Sequence, residues 1–256
     1  MLEVKNITCG YKKNVDVIED CSFSLNQGET LVLLGKNGAG KSTILKAILG
    51  IVKLSSGEIL IDDANLKDLS VKEKAKLISY VPQNVTLPPL SVADTILSAR
   101  LSYYSFAPGA HDLEVVNKII DDLGLASLKD KEASATSGGE AQLVAIARSL
   151  AQEPKIIVFD EPSSNLDILN IDLLEKQIKK IKQEGISCII ALHDLNMAYR
   201  LGDKFLLLKE GKIISFGGRD ELNEENISKV YGKEIKIRRV DNNLLASVKE
   251  EIWLNV

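Results

Sequence analysis

The strongest constraint on the fold of this chain is a glycine-rich segment that directly follows a short apolar run. Residues 31–34 read Leu-Val-Leu-Leu, and residues 35–42 read Gly-Lys-Asn-Gly-Ala-Gly-Lys-Ser. A continuous apolar run is typical of a strand that is buried on both faces. The second segment fits G-x-x-x-x-G-K-[ST], a loop whose backbone N–H groups wrap the phosphates of a nucleotide. Together they predict an α/β protein that binds a nucleoside triphosphate.

Several residues of this loop are suited to particular parts of the nucleotide. The glycines allow tight turns that bring N–H donors onto the β-phosphate, and a helix starting near Lys41 directs its positive end at the same anion. We expect Lys41 to reach the β- and γ-oxygens, the Ser42 hydroxyl to ligate Mg²⁺ and Thr43 to contact the α-phosphate. The candidate phosphate-binding residues are Gly35, Asn37, Gly38, Gly40, Lys41, Ser42 and Thr43. The alternative is a glycine-rich turn that only caps a helix.

Two carboxylates follow a second apolar run, Ile-Ile-Val-Phe at residues 156–159. A carboxylate at the tip of a strand that faces the glycine loop can hold Mg²⁺, which suits Asp160. Glu161, one residue further on, can orient or deprotonate the water that attacks the γ-phosphate, and such a base contributes about 10²- to 10⁴-fold to the rate. The pair predicts hydrolysis of the nucleotide. The alternative is two solvated charges at the end of a strand.

The composition argues against several other classes of protein. The net charge is −4, so no global basic field would recruit nucleic acid. The three cysteines, Cys9, Cys21 and Cys188, lack C-x-x-C spacing and favour buried free thiols in a reducing compartment. No apolar run approaches 18 residues, and the N-terminus lacks the pattern of a signal peptide. We therefore expect a cytoplasmic protein that reaches a membrane only by docking onto a partner.

Strand-like and helix-like runs alternate along most of the chain, which favours a mostly parallel, layered α/β sheet. Residues 54–57 (Leu-Ser-Ser-Gly) are expected to form a turn. We predict strands at about 2–7, 17–25, 29–34, 58–61, 78–81, 155–160, 186–192, 204–208 and 212–216, and helices at about 41–49, 71–77, 139–152, 167–184 and 194–201.

A change of character at about residue 84 predicts an insertion. Residues 84–135 begin with a Pro-Pro pair at 88–89 and contain no clear strand. One helical face carries Leu113, Val116, Ile120 and Leu123 and ends at Gly124. We expect a small all-helical insertion here. In the predicted helix 167–184, Ile168, Ile171, Leu174, Ile178 and Ile181 fall on one side.

With these motifs in place, the chain resembles the ATP-binding cassette (ABC) ATPases from residue 2 to about 217. Residues 136–140 (Thr-Ser-Gly-Gly-Glu) are similar to the family signature Leu-Ser-Gly-Gly-Gln, with departures at Thr136 and Glu140. Ser137 and the N–H groups of Gly138 and Gly139 would open a helix as a second anion-binding end. The resemblance implies that ATP lies between the glycine loop of one subunit and the signature of a second copy, in a head-to-tail dimer. In isolation, Ser137 is equally compatible with an ordinary helix cap.

The resemblance implies roles at three further positions. Tyr11 matches the aromatic residue that stacks on adenine. Gln83 matches the glutamine that reaches Mg²⁺ and the attacking water, and His193 matches the histidine that contacts the γ-phosphate. The alternatives are simple packing for Tyr11 and an ordinary loop position for Gln83.

Residues 164–167 (Ser-Asn-Leu-Asp) resemble a Ser-Ala-Leu-Asp segment that crosses the dimer interface in this family. Asn165 departs from that pattern. Asp167 is the residue that we expect at the interface beside the nucleotide, and it is also suited to cap the helix that follows. Both roles are compatible.

The family also implies a fold: a P-loop NTPase core of the ABC type, with a mostly parallel sheet, an antiparallel β-subdomain and an inserted α-helical subdomain. We expect one ABC ATPase domain over residues 1–256. In it, 1–83 and 155–217 form the RecA-like core with the β-subdomain, 84–154 form the helical subdomain with the signature, and 218–256 form a C-terminal extension. That extension either closes the domain or regulates it.

Residues 80–83 (Tyr-Val-Pro-Gln) and 193–196 (His-Asp-Leu-Asn) resemble importer ATPases that serve iron–siderophore, haem, cobalamin and some oxyanion uptake systems. This resemblance implies an integral membrane permease docked after Gln83, near residues 88–92, and indirectly an extracytoplasmic solute-binding protein. The absence of a fused membrane span favours an importer over a fused exporter. An ABC ATPase of iron–sulfur cluster assembly is the main alternative. A DNA-repair ATPase would need a longer insertion, and a nucleotide kinase would lack the signature.

Overall fold

The computed structural model describes residues 1–12, 15–104, 106–164, 166–241 and 243–249. The strands are β1 (Leu2–Cys9), β2 (Ile18–Leu25), β3 (Thr30–Leu34), β4 (Leu54–Ile61), β5 (Ala64–Asn65), β6 (Ile78–Val81), β7 (Ile156–Asp160), β8 (Ser187–Leu192), β9 (Lys204–Lys209), β10 (Lys212–Gly217), β11 (Ile235–Val240) and β12 (Asn243–Val248). The α-helices are α1 (Lys41–Ile48), α2 (Val71–Leu77), α3 (Val92–Leu97), α4 (Ala110–Asp122), α5 (Gly138–Ala151), α6 (Ile168–Gln183), α7 (Leu195–Leu201) and α8 (Glu224–Tyr231).

The central sheet has the strand order β10-β9-β3-β8-β7-β6. Neighbouring strands from β9 to β6 are parallel, and β10 is antiparallel to β9 at the edge. Every residue of β3, β7 and β8 is buried, because helices cover both faces of a parallel sheet. Burial on both faces explains why these three strands contain continuous apolar runs in their sequence. The prediction of a mostly parallel sheet is confirmed.

A second, antiparallel sheet has the order β2-β1-β4-β5, as expected for the β-subdomain. Here the predicted turn at residues 54–57 is wrong, because β4 already begins at Leu54. Gly57 has φ +82°, and the register between β1 and β4 shifts at this point. A Cβ on Gly57 would lie 2.4 Å from the carbonyl oxygens of Lys5 and Asn6. The Ser-Ser-Gly sequence therefore forms a bulge within a strand.

The insertion after β6 is helical, as predicted: it consists of α3, α4 and α5 with short 3₁₀ turns between them. Val116 and Ile120 on α4 and Leu123 directly after it are buried, but Leu113 is 46% exposed. The prediction that Leu113 lies on the buried face of α4 is therefore wrong for the first turn of this helix. Its inward position is taken by Asp112, whose Oδ1 accepts a hydrogen bond at 2.9 Å from Nε of the buried Arg100.

Two separate apolar layers cover the two faces of the central sheet. Leu31 and Leu33 of β3 belong to the layer that contains α1 and the antiparallel sheet. Val32 and Leu34 belong to the other layer, which runs without a break through the helical insertion, α6, α7, α8 and Leu244 of β12. The alternation of side chains along β3 assigns them to opposite faces.

The three cysteines are buried and free, as expected. Burial raises the pKa of the Cys9 thiol to about 11 and that of Cys21 and Cys188 to about 12. In the part of the chain that the structure describes, no helix is both long and apolar enough to cross a membrane.

After β10 the chain forms α8 and a hairpin of β11 and β12. The hairpin pairs with neither of the larger sheets, and β12 packs against α7. Residues 250–256 lie outside the described part. The division of the chain into core, helical subdomain and C-terminal extension stays a prediction.

Candidate active site

The glycine loop joins the buried end of β3 to the start of α1. Gly38 and Gly40 have φ angles of +80° and +108°, a region that favours glycine. A Cβ on Gly40 would lie 2.4 Å from Cδ1 of Ile18, and a Cβ on Gly35 would lie 2.7 Å from the carbonyl oxygen of Leu208. Asn37 is exposed between these glycines. The loop thus has the tight, backbone-lined form that the motif predicts.

Lys41 is buried, with only 4% of its surface exposed. Its Nζ donates to the carbonyl oxygens of Gly35 at 2.9 Å and Lys36 at 3.3 Å, and it lies 3.7 Å from Oε1 of Glu161. Burial lowers the pKa of Lys41, and the carboxylates of Glu161 and Asp160 oppose this effect. An anion bound in the loop would stabilise this buried positive charge.

The two metal-ligand candidates Ser42 and Asp160 lie together. Oγ of Ser42 donates to Oδ1 of Asp160 at 3.1 Å, and the Tyr80 hydroxyl donates to Oδ2 at 3.5 Å. Burial raises the pKa of the Asp160 carboxyl, and the hydrogen bond from Ser42 opposes this effect. Burial also raises the pKa of Tyr80 to about 12. Sequence reasoning gave Tyr80 no role at this carboxylate, although its strand pairs directly with β7.

Glu161 is the centre of a polar cluster at the carboxyl ends of three adjacent strands. Nε2 of Gln83 donates to Oε2 of Glu161 at 3.0 Å, and Nε2 of His193 lies 2.5 Å from Oε1. Gln83 follows β6 and His193 follows β8, the two neighbours of β7. The φ angle of Glu161 is +50°, and its N–H donates to the carbonyl of Ala191 at 3.1 Å. Its carboxylate thus meets Gln83, His193 and Lys41, three residues for which the sequence predicts roles at the γ-phosphate end of the nucleotide.

Tyr11 lies beside the same loop with its ring 57% exposed. Its hydroxyl accepts a hydrogen bond from Oγ1 of Thr43 at 3.3 Å, and Nζ of Lys46 lies 5.4 Å from the ring centroid. An exposed ring held at the start of α1 can offer a face to a base. This exposure disfavours the alternative that Tyr11 serves only to pack the core.

Ser137 forms the N-cap of α5 in a capping box with Glu140. Its N–H donates to Oε2 of Glu140 at 2.7 Å, and its Oγ accepts from the N–H of Glu140 at 3.4 Å. The hydrogen bond from the Ser137 backbone lowers the pKa of Glu140, and Nζ of Lys131 lies 3.4 Å from its Oε2. Glu140 stands where the family signature has Gln, and its carboxylate therefore stabilises the start of the helix.

The hydrogen bonds just described for Ser137 and Glu140 do not reach the glycine loop. The side chain of Ser137 and the backbone of Gly138 are exposed, and the hydrogen bonds of Ser137 stay within its own turn. Gly139 is packed more closely, because a Cβ there would lie 2.3 Å from Oδ1 of Asn170 on α6. Asn170 was missed by sequence reasoning, and no pattern in the sequence indicates it.

Asp167 caps α6, since its Oδ1 accepts from the N–H of Asn170 at 2.8 Å. Its side chain is exposed, so the predicted interface role is compatible with the cap. Ile168 and Leu169, which follow it, are 83% and 78% exposed. The prediction that Ile168 continues the inward side of the helix is therefore wrong, because α6 contacts the core only from its second turn. Asn165 lies outside the described residues.

Comparison with known proteins finds similarity along most of the chain. A family model described as ABC transporter matches residues 18–164, which include the glycine loop, the Ser137 turn and both carboxylates. An uncharacterised ABC transporter ATP-binding protein of Methanocaldococcus jannaschii is 40% identical over 94% of this chain and 94% of the relative. A phosphonates import ATP-binding protein of Oceanobacillus iheyensis is 32% identical over 91% of this chain and 96% of the relative.

Two solved structures have a similar fold. One, described as an inward-facing metal-chelate-type ABC transporter, aligns with a TM-score of 0.83 and 29% identity over 98% of both chains. The other is a dimeric ATP-binding cassette in a post-hydrolysis state with ADP and Pi. It aligns with a TM-score of 0.75 and 28% identity over 85% of this chain and 98% of that chain.

Proposed function

Since the chain belongs to the ABC transporter family and is its ATP-hydrolysing, ATP-binding subunit, we propose that two copies form a head-to-tail homodimer that drives a separate membrane permease. One observation carries this proposal: Glu161 lies among Lys41, Gln83 and His193, whereas Ser137 is exposed and its N–H and hydroxyl bond to Glu140 in the same turn. One chain thus presents two incomplete halves of a site. The dimeric cassette with ADP and Pi is a precedent for joining such halves.

In each composite site, the residues of one chain bind and orient ATP. Tyr11 stacks on the adenine ring, and the N–H groups of residues 35–43 hold the phosphates. Lys41 exchanges its loop carbonyl partners for the β- and γ-oxygens. Glu161 takes the proton of the attacking water, while His193 and Gln83 hold the γ-phosphate and the water in place.

The second chain completes the site from the opposite side. Ser137 and the N–H groups of Gly138 and Gly139 offer a helix start to the γ-phosphate, and Asp167 lies at the interface between the copies. Hydrolysis turns the bridging γ-phosphate into a released anion, so the dimer opens. ATP binding thereby brings the two helical insertions together, and hydrolysis lets them separate.

The residues around Asp160 fit a magnesium ion. Across the described ranges, no group of three or more His, Cys, Asp and Glu side chains could hold a metal by itself. Mg²⁺ in nucleotide sites needs only one or two carboxylates, because phosphates and waters supply the remaining oxygens. The Ser42 hydroxyl, the buried Asp160 carboxylate and the Gln83 amide provide such a partial set. When bound, Mg²⁺ neutralises charge on the β- and γ-oxygens.

This assignment predicts that Asp160→Asn stabilises the nucleotide-free protein and abolishes Mg²⁺-dependent hydrolysis. The raised pKa means that the folded chain holds the Asp160 proton more tightly than the unfolded chain, so the ionised carboxylate destabilises the fold at neutral pH. That penalty is complete above the raised pKa and vanishes below the ordinary value of 3.8. Urea unfolding should show the largest gain for D160N at pH 7, a gain that shrinks as the pH falls through the raised pKa of Asp160, and no gain below pH 3.8.

Asp167→Asn is the matched control, because it also removes a negative charge but keeps an equally good N-cap on an exposed helix start. Its free energy of unfolding should equal that of the wild type at neutral pH. A D160N protein that still hydrolyses Mg·ATP at the wild-type rate would remove Asp160 from the metal site.

A groove beside Gln83 supports the docking of a permease helix. It has a volume of about 310 Å³ and opens between the core and the signature helix. Val85 and Leu87 supply apolar contacts, and exposed Arg148 offers a charge at the rim. Tyr80 lines the groove and its hydroxyl donates to Asp160, so the groove adjoins both a metal-ligand candidate and the helical insertion. A cytoplasmic helix of a permease seated there would move with the insertion.

For the solute we propose a metal chelate, such as an iron–siderophore complex, haem or cobalamin. The similarity to the metal-chelate-type transporter over 98% of both chains supports this class. A phosphonate is the second candidate, because relatives with 32% identity are named phosphonates import proteins. Specificity would lie in the permease and in an extracytoplasmic binding protein, and this chain would be peripheral on the inner face of the membrane through the permease.

Co-expression with a permease encoded nearby tests this proposal. We expect the two to co-purify and to support ATP-dependent uptake of an iron chelate, haem or cobalamin, with molybdate and a phosphonate assayed in parallel. Arg148→Glu should weaken co-purification, and Lys118→Glu, outside the groove, should not. Phosphonate uptake alone would replace the metal-chelate assignment. Co-purification with iron–sulfur assembly proteins and no permease would favour that non-transport role.

A further inference from the structure

The C-terminal hairpin lies against the helix that follows His193. Its second strand, β12, packs on α7, and α7 begins only two residues after His193. The hairpin is itself tied to α8, because the Glu224 carboxylate accepts hydrogen bonds at 3.0 Å from the N–H of Ile237 and Nζ of Lys236. A well-anchored element therefore contacts the segment that presents His193.

Two hydrogen bonds join β12 to the two ends of α7. The N–H of Leu244 donates to Oδ1 of Asn196 at 3.1 Å, and Nη1 of Arg200 donates to Oδ1 of Asn243 at 3.3 Å. The Leu244 side chain is 1% exposed and belongs to the same apolar layer as α7. Leu244 thus fixes the first turn of the helix through both its backbone and its side chain.

Asn196 is also joined to the turn that carries His193. Oδ1 of Asp194 accepts from the N–H of Asn196 at 2.7 Å and from that of Met197 at 3.0 Å. The side chain of His193 is 41% exposed and meets Glu161 at 2.5 Å. Because the imidazole is partly exposed, its direction depends on the backbone of residues 193–196 as well as on its contact with Glu161.

An open cleft of about 380 Å³ separates the turn from the rest of the hairpin. It is lined by residues 193–196 on one side and by Tyr231, Ile235 and residues 244–246 on the other. Close packing therefore does not immobilise the turn on this side. The bond between Leu244 and Asn196 is the polar connection that crosses from the hairpin to the turn.

We propose that the C-terminal hairpin holds His193 in position for hydrolysis, with Asn196 as the positioning residue through which it acts. This inference rests on the role proposed for His193 at the γ-phosphate. Without the bond from Leu244, the first turn of α7 gains freedom beside the cleft, and the imidazole loses its fixed approach to Glu161. ATP binding would be unaffected, because the glycine loop lies in the other apolar layer.

The test compares ATP hydrolysis by Asn196→Ala, Asn196→Asp and Ser247→Ala. Asn196→Ala should lower kcat about tenfold, as small misplacements of catalytic groups do, with little change in KM. Asn196→Asp keeps an oxygen acceptor for the N–H of Leu244 and should restore most of the rate. Ser247→Ala alters an exposed position on the same strand and should behave as wild type. Should the alanine variant fold poorly, Asn196→Ser, too short to reach Leu244, provides the same comparison.

A double variant separates this inference from the proposed role of His193. If Asn196 acts through His193, adding Asn196→Ala to His193→Ala should not slow hydrolysis further. Full activity of His193→Ala would refute the role of the histidine itself. An impaired His193→Ala with a fully active Asn196→Ala, or losses that multiply in the double variant, would overturn the hairpin proposal alone.

Discussion

Replacing Glu161 by glutamine is expected to lower ATP turnover by about 10²- to 10⁴-fold while ATP stays bound, because an amide cannot accept the proton of the attacking water. Glutamine preserves the shape of the side chain and can still bond to Gln83 and His193. It also removes a negative charge that would face the γ-phosphate. The ATP-bound dimer of this variant should therefore outlive that of the wild type, and size-exclusion chromatography with Mg·ATP should show a dimer.

Glu225→Gln is a suitable control, because Glu225 is exposed on α8 and pairs with Lys229 one turn away. It should hydrolyse ATP like the wild type. Hydrolysis that persists in E161Q, or an E161Q protein that binds ATP as a monomer, would show that Glu161 is not the base of a shared site.

Ser137→Arg should leave ATP binding by a single chain intact and reduce hydrolysis by about 10²-fold or more, the range seen when a preorganised donor is lost. The new side chain would project from an exposed helix start into the space of the partner's γ-phosphate. The structure offers a close control in Ser70, which caps α2 in the same kind of box with Glu73. Ser70→Arg loses the same cap and should keep full activity.

Mixing experiments identify which chain supplies each half of the site. In a mixed dimer of S137R and K41A proteins, one site combines both defects, whereas the other combines an intact Lys41 with an intact Ser137. Hydrolysis should thus recover to at most one functional site per dimer. Full activity of the S137R protein alone would contradict the shared-site arrangement.

The clustering of Asp160, Glu161 and His193 could be expected from the sequence because their positions follow from topology. Asp160 ends a fully buried strand, Glu161 and His193 each directly follow one, and carboxyl ends of adjacent parallel strands meet at one edge of the sheet. The glycines of the loop and the caps at Ser137 and Asp167 are local features, so short sequence patterns identify them. The functional roles of these residues stay predictions until the variants are measured.

The errors arose where distant partners override a local pattern. Residues 54–57 carry a turn signal, but pairing with β1 converts it into a bulge. Leu113 matches the apolar period of α4, but the bond between Asp112 and Arg100 sets the inward face of that turn. The contact between Asn196 and Leu244 joins positions far apart in the chain. No short pattern encodes such pairings, because each depends on how separate elements meet.

The unequal apolar layers on the two faces of the sheet have a mechanical consequence. The layer beneath the helical insertion continues to the C-terminal hairpin, so a rotation of the insertion must strain side chains along that whole face. The layer under α1 is separate and can stay still. The face that carries the helical insertion can therefore move as one unit, while the glycine loop on the other face keeps its position around the phosphates.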